Sequence, residues 1–395
     1  MTDIYITGAA RTPLGAFQGA FSTVTAPQLG SVAIRAALTR AGVDPASVEE
    51  VLMGNVLPAG LGQAPARQAS LGAGIGVATP CTTVSKVCGS GMKAITQGMD
   101  AILAGNVATV VAGGMESMTN APYLLPKARG GARIGHDVML DHMMIDGLED
   151  AYARTDSGAR RSMGTFGEDC AAKYGFDRAA QDAFAIASVT RAKQAADAGL
   201  FDWEIAPVMA GRKGDVQVSR DEGPDRIDTG NIRGLRAAFA KDGTITAASA
   251  SSINDGAAAL VLMSGDAMRA AGATPLARIV GHASYAGEPG WFTTAPIFAK
   301  QKLAEKIGWD LKEVDLFEIN EAFAVVPMAA MADCGISHDR VNVHGGACAL
   351  GHPIGASGAR IVVTLLGAMR ARGAKRGIAS ICIGGGEALA LALEA

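Results

Sequence analysis

Two cysteines, one histidine and one asparagine in this 395-residue chain stand where they can do chemistry. Cys88 directly precedes Gly89-Ser90-Gly91 and a run of helical apolar spacing. A thiol at a helix N-terminus meets backbone N–H groups and the positive end of the helix dipole, which favour a nucleophilic thiolate. His352 lies in the glycine-rich stretch from Gly345 to Gly358, just before a second helical run. There it can take a proton from a thiol and donate to a developing oxyanion. Asn320 follows a strand-like run in Phe317-Glu318-Ile319-Asn320-Glu321-Ala322-Phe323, and its amide can orient a water. Cys382 closes an apolar strand before Ile383-Gly384-Gly385-Gly386, a turn open to a ligand. Each residue alone also has a plainer reading. Cys88 and Cys382 can be small buried hydrophobes. His352 can be a turn histidine with a satisfied ring, and Asn320 a helix cap.

The elements that must position these residues come as a pair. Around Cys88 the apolar residues Met92, Ile95, Met99 and Ile102 fall at helical spacing, and Gly105 ends the run. A β-branched run, Val107–Val111, and a Gly-Gly turn follow. Around residue 355 the pattern returns, with Ile361, Leu365 and Met369, then Gly373, then Ile378–Ile383 and glycines. Two such units about 270 residues apart imply a duplicated α/β half. Ile4–Thr7 reads as an opening strand, and the second half restarts near Ala277–Val280. The segment 121–249 differs, with Met-rich, arginine-rich and polar stretches, and reads as an insertion over the first half. It contains one clear helix near Arg178–Ala198, with Asp177 as N-cap.

Composition narrows the field. Half the residues are apolar, 51 are glycine, and the formal net charge is −3, so no global basic field argues for nucleic acid. No apolar run is read as long enough to cross a bilayer, no leader or C-terminal address stands out, and a cytoplasmic location is expected. Six cysteines are scattered without a Cys-x-x-Cys and without paired histidines, so neither a disulfide framework nor a metal site is expected. Gly72, Gly74 and Gly76 resemble a dinucleotide fingerprint, but Val77 stands where its third glycine belongs, and no GxxxxGK[ST] occurs.

Taken together, these segments resemble the thiolase family over nearly the whole chain, from Ala10-Arg11-Thr12-Pro13 to the last glycine turn. The Cys88 loop, Asn320-Glu321-Ala322-Phe323, the His352 stretch and Cys382 before Gly384 carry the resemblance. It implies a duplicated five-layer αβαβα fold with an inserted loop domain. Residues 1–120 with 250–272 would form the first half, 121–249 the loop domain and 273–395 the second half. The implied activity is acetyl transfer between CoA thioesters through an acyl-cysteine: condensation of two acetyl-CoA, or the reverse thiolysis of a 3-ketoacyl-CoA. Acyl-CoA and CoA are substrates, and no cofactor is implied. Cys88 would take the acyl group, His352 activate it, and Cys382 move the α-proton. His352 and a water on Asn320 would line one oxyanion hole, and the N–H groups of Cys88 and Gly384 the other. Ala250, Ser251, Leu235 and Phe239 would meet the CoA moiety, with Arg226 as a phosphate contact. Met163, Phe292, Ala322 and Phe323 would border the acyl group. The resemblance also implies a homodimer or homotetramer.

Three positions depart from the family pattern: Ser162 before Met163-Gly164 where His is frequent, Phe292 where Met is common, and Gly386-Glu387-Ala388 in place of Gly-Met-Gly. They leave chain-length preference open. A β-ketoacyl-ACP synthase shares the duplicated fold and a nucleophilic cysteine but lacks a second cysteine in the last turn, so Cys382 favours thiolase. A catalytically inactive relative would be expected to have lost one of these residues, and none is missing.

Overall fold

The computed structural model describes residues 2–395. The first half runs β1 (Ile4–Arg11), α1 (Ala26–Ala41), β2 (Glu50–Gly54), α2 (Pro65–Gly72), β3 (Cys81–Val84), α3 (Ser90–Leu103) and β4 (Thr109–Ser117), and closes with β5 (Asn254–Ser264). Between β4 and β5 lie α4 (Met163–Tyr174) and α5 (Arg178–Asp197). The second half runs β6 (Ala277–Ala286), α6 (Ala295–Ile307), β7 (Leu316–Ile319), α7 (Val325–Cys334), α8 (Ile354–Arg372), β8 (Arg376–Ile383) and β9 (Glu387–Glu394).

The duplication is visible in strand order. The first half reads β3-β2-β4-β5-β1, and the second reads β7-β8-β9-β6, with Val341 bridging to Phe317 at the outer edge. The two sheets join where β1 meets β6 antiparallel, at Tyr5–Arg278 and Ile6–Ala277.

Side-chain alternation along each strand sets the layers. In β9, Leu389, Leu391 and Leu393 face a central core shared with Met92 and Ile95 of α3 and with Ile361 and Leu365 of α8. The intervening Ala388, Ala390 and Ala392 face Ala299 and Leu303 of α6. Val51 and Met53 of β2 likewise turn outward to α1 and α2. The result is five layers, helix–sheet–helix–sheet–helix, with α3 and α8 at the centre. These two helices nearly touch. A Cβ at Gly91 would lie 2.8 Å from the Ala359 nitrogen, and one at Gly358 would lie 2.4 Å from the Met92 nitrogen. Glycine is therefore required at the crossing, and the crossing brings the helix N-termini together.

Several expectations change. β1 extends to Arg11, and the strand expected over 107–111 starts at Thr109 and continues to Ser117. Helix α8 is by length and composition capable of spanning a membrane, contrary to the reading that no such run exists, but 89% of its apolar window is buried as the central core helix. The inserted segment holds α5 where expected, with the Asp177 carboxylate accepting from the Ala180 N–H at 2.7 Å. It also holds α4, which sequence periodicity did not show. Its Gly164 and Gly167 break the apolar stripe, and a Cβ at Gly164 would strike the Phe239 ring at 2.2 Å.

Candidate active site

The crossing of α3 and α8 places Cys88 and His352 at the ends of two neighbouring helices, while β8 brings Cys382 to the same point. Val87, just before the nucleophile, has φ of 45°, in the left-handed region. That conformation costs a β-branched residue about 1–3 kcal/mol and is held by its surroundings. Lys86 forms an ion pair with Glu387, tying the loop before Cys88 to the strand after the glycine turn. This gives the departure at Glu387 a structural role. The backbone N–H groups of Gly384 and of Cys88 itself lie near enough to the Cys88 sulfur to lower its pKa. Cys382 lies close enough for Cys88 to raise its pKa.

The electrostatics correct one expectation. The helix terminus was expected to favour a Cys88 thiolate. Burial instead pushes the thiol up to about 11, with the two N–H groups opposing and the Glu116 carboxylate adding to the rise. Cys88 keeps some solvent exposure, so this is desolvation in a recess rather than a sealed core. Burial, and then the neighbouring Cys88, raise Cys382 well above the ordinary thiol range. Burial, aided by the Arg360 charge, lowers His352 to about 3. At neutral pH all three groups are uncharged.

The His352 tautomer follows from its partner. The Ser357 hydroxyl donates to the Pro353 carbonyl at 2.8 Å, so its oxygen accepts from His352 Nδ1–H at 2.5 Å. Nε2 then carries the lone pair, which accepts at long range from Asn320 Nδ2 at 3.5 Å and can take a proton. Sequence reasoning passed over Ser357, although its spacing, five residues after His352 in the first turn of α8, was legible. Ser357→Ala should leave a buried ring N–H unpaired and lower kcat about tenfold, with KM little changed. A kcat within twofold of wild type in steady-state assay would show that Ser357 does not set the tautomer.

Asn320 is not a helix cap. Its N–H continues the β7–β8 pairing onto Ser380 at 3.0 Å, its Nδ2 lies 3.5 Å from His352 Nε2, and its Oδ1 has no partner among the described residues. Glu321 was also overlooked. Its carboxylate accepts from Asn342 Nδ2, Ser188 Oγ and Cys348 N–H at 2.7–2.9 Å, and so anchors the Asn320 loop to the loop leading to His352.

His352 opens onto a cavity of about 280 Å3 whose walls include Met163, Phe239, Ala250, Ser251 and Phe323, all expected there. Cys88 packs against the cluster of Val56, Leu57, Met118, Met143 and Ile354, of which Met118 and Ile354 line the same cavity. Backbone bonds stitch the wall: Ser251 N–H to the Ala322 carbonyl at 3.0 Å, and His352 N–H to the Ser252 carbonyl at 3.2 Å. A second cavity of about 190 Å3 adjoins it beyond Met163 and reaches Val87 and Gly384.

Four of the expected contacts lie outside the cavity that His352 lines. Phe292 sits behind the wall, packed edge-on against Phe166 at 6.0 Å, because its turn folds it into the core of the second half. Ala322 is buried beneath the wall and contributes only its carbonyl. Leu235 lines a separate open recess of about 630 Å3 beside Arg178, Arg236 and Lys241. Arg226 is exposed, lines neither cavity, and pairs with Glu222 one helical turn away at 2.8 Å.

A pair of recessed cysteines, a neutral histidine with a basic lone pair, and nearby N–H donors define a thiol-dependent acyltransferase on a duplicated α/β fold. The thiolase N-terminal domain model matches residues 4–266, and the thiolase C-terminal domain model matches residues 273–395. The chain is 52% identical to acetyl-CoA acetyltransferase 1 of Arabidopsis thaliana, covering 99% of this chain and 94% of that protein. It is 48% identical to an acetyl-CoA acetyltransferase of Cupriavidus necator over the full length of both. The Acat5 thiolase from Ascaris suum, solved with coenzyme A, superposes with a TM-score of 0.93 at 42% identity, over 99% of each chain. The chain belongs to the thiolase family. The synthase alternative finds no support in these matches.

Proposed function

We propose that this thiolase is an acyl-CoA C-acetyltransferase that condenses two acetyl-CoA to acetoacetyl-CoA and CoA, or runs the reverse thiolysis, by a ping-pong route. The observation that carries this reading is the convergence of Cys88, Cys382 and the Gly384 N–H beside the cavity that His352 lines. The names of the relatives point the same way.

In the first half-reaction the Cys88 sulfur attacks the thioester carbon while His352 Nε2 takes the thiol proton. The N–H groups of Cys88 and Gly384, which lie near that sulfur, hold the oxyanion. CoA leaves with the proton returned by His352. In the second, Cys382 passes its proton to His352 and becomes the base that removes a methyl proton from the second acetyl-CoA. The enolate oxygen meets the His352 imidazolium and a water on Asn320. The enolate carbon attacks the acetyl carbon, Cys88 departs as thiolate, and His352 returns its proton to it. Cys382 keeps the methyl proton, so both thiols are restored.

CoA would lie along the Ser251 and Phe239 wall, with its phosphates towards Arg236 and Lys241 rather than Arg226. Catalysis would require no cofactor. Residues 1–120 with 250–272, 121–249 and 273–395 would act as first half, loop domain and second half, in a cytoplasmic protein. Thiolysis rates on 3-ketoacyl-CoAs from four carbons upward test the substrate class. The four-carbon compound should be cleaved fastest, and no cleavage of any of them would refute the proposal.

The assembly would be a homodimer or homotetramer. Around the short hairpin of Tyr123–Leu124 with Leu140–Asp141, Leu125, Ile134, Val138 and Met139 stand in solvent, Ile134 at 98% exposure. A projecting apolar arm of this kind is characteristic of surfaces that another chain covers. Light scattering should give about two or four times the 40.1 kDa chain mass, and a monomer at micromolar concentration would exclude both forms.

A further inference from the structure

The register of the two halves exposes a second, vestigial copy of the active site. Gly54 of β2 pairs with Gly114 of β4, and Ile319 of β7 pairs with Ser380 of β8, both parallel. One residue past the first member of each pair stands an asparagine, Asn55 or Asn320. Two residues past the second member stand Glu116 and Cys382. The first turns of α3 and α8 both carry Ser-Gly, Ser90-Gly91 and Ser357-Gly358, and two residues before each serine stand Cys88 and Gly355. Duplication therefore matches Asn320 with Asn55, Cys382 with Glu116, and Cys88 with Gly355.

The match extends to contacts. At the active site, Cys88 of the first half faces Cys382 of the second. At the vestigial site, Gly355 of the second half faces Glu116 of the first, its N–H donating to Glu116 Oε2 at 2.9 Å. The same carboxylate accepts from the N–H groups of Val56 at 2.9 Å and Leu57 at 3.2 Å, and from Asn55 Nδ2 at 2.6 Å. Glu116 has no exposed surface. A carboxylate holding four donors in the core fixes what those donors belong to. Here they belong to the loop after β2 and the first turn of α8, three residues after His352.

We propose that Glu116 is a positioning residue for the reaction: it occupies the duplicated base position and latches the N-terminus of α8, so that His352 meets Cys88 in reacting geometry. This rests on the roles of Cys88 and His352 proposed above. Glutamine is nearly the same size as Glu116, but its NH2 must face either the Val56 and Gly355 N–H groups or the Leu57 N–H and Asn55 amide. Donors then oppose donors on one side of the latch whichever way it turns.

The test is rapid-quench mass spectrometry of Cys88 acetylation by acetyl-CoA, read separately as rate constant and as final stoichiometry. A residue that only supports folding would change how many sites react. A positioning residue changes how fast each site reacts. Glu116→Gln should reach full acetylation at a rate about 10²-fold lower, the size of effect a misplacement near 1 Å produces, with KM within about threefold of wild type. An unchanged rate per reacting site, at any stoichiometry, would overturn the proposal. If Glu116→Gln does not fold, Asn55→Ala removes one of the four donors and should slow acetylation about threefold to tenfold. An unchanged rate there is equally fatal. Wild-type protein that acetylates elsewhere than Cys88 would instead remove the underlying assignment, and this inference with it.

Discussion

Cys88→Ala should lose acetyl transfer, with kcat lower by about 10⁴-fold or more, because it removes the sulfur that forms the acyl intermediate. Cys88→Ser should fare little better. The serine hydroxyl holds its proton far more tightly than a thiol, and His352, already lowered to about 3, is a weak acceptor. The resting thiol makes a second measurable statement. With its pKa near 11, Cys88 is neutral at pH 7 and only a small fraction is thiolate. Alkylation of the free protein by iodoacetamide should therefore rise about tenfold per pH unit from pH 7 to 9.5, without a plateau. Mass spectrometry after brief incubation with acetyl-CoA should place the acetyl group on Cys88. Acetyl found only on Cys382 would reverse the roles drawn here, and an alkylation plateau below pH 8 would show that Cys88 rests as a thiolate.

Cys382→Ser should separate the two half-reactions. Transfer of acetyl to Cys88 uses the Cys88 sulfur, His352 Nε2 and the N–H groups of Cys88 and Gly384, none of which the substitution removes. Removal of the methyl proton needs a second base, and a buried serine cannot supply one. Condensation should fall by about 10²–10⁴-fold, the span usual for loss of a general base, while acetyl-Cys88 still forms. Exchange of the acetyl-CoA methyl protons with deuterated water should disappear with it. A variant that condenses at near wild-type rate would make Cys382 a core cysteine of the second half. A variant that cannot be acetylated would show instead that the turn has shifted and withdrawn the Gly384 N–H from the Cys88 sulfur.

Much of this site was legible in residue types alone. Cys88 before Gly-Ser-Gly, His352 before α8 and Cys382 before three glycines are local statements, and short-range geometry settles them: helix starts, strand ends and glycine turns. The duplication was legible too, because each copy repeats the same helical spacing, glycine stop and β-branched strand. Tertiary structure decided what depends on residues far apart in the chain. Whether Cys88 rests as thiol or thiolate turned on burial at the crossing of α3 and α8, which outweighed the helix terminus that the sequence shows. Phe292 and Arg226 looked equivalent to Met163 and Ser251 as candidates. Packing onto Phe166 placed the first behind the cavity, and pairing with Glu222 held the second on the surface. The roles of Ser357 and Glu116 were invisible for the same reason. A hydroxyl or a carboxylate becomes a positioning group only through the partners it meets, and for Glu116 one of those partners lies 239 residues away.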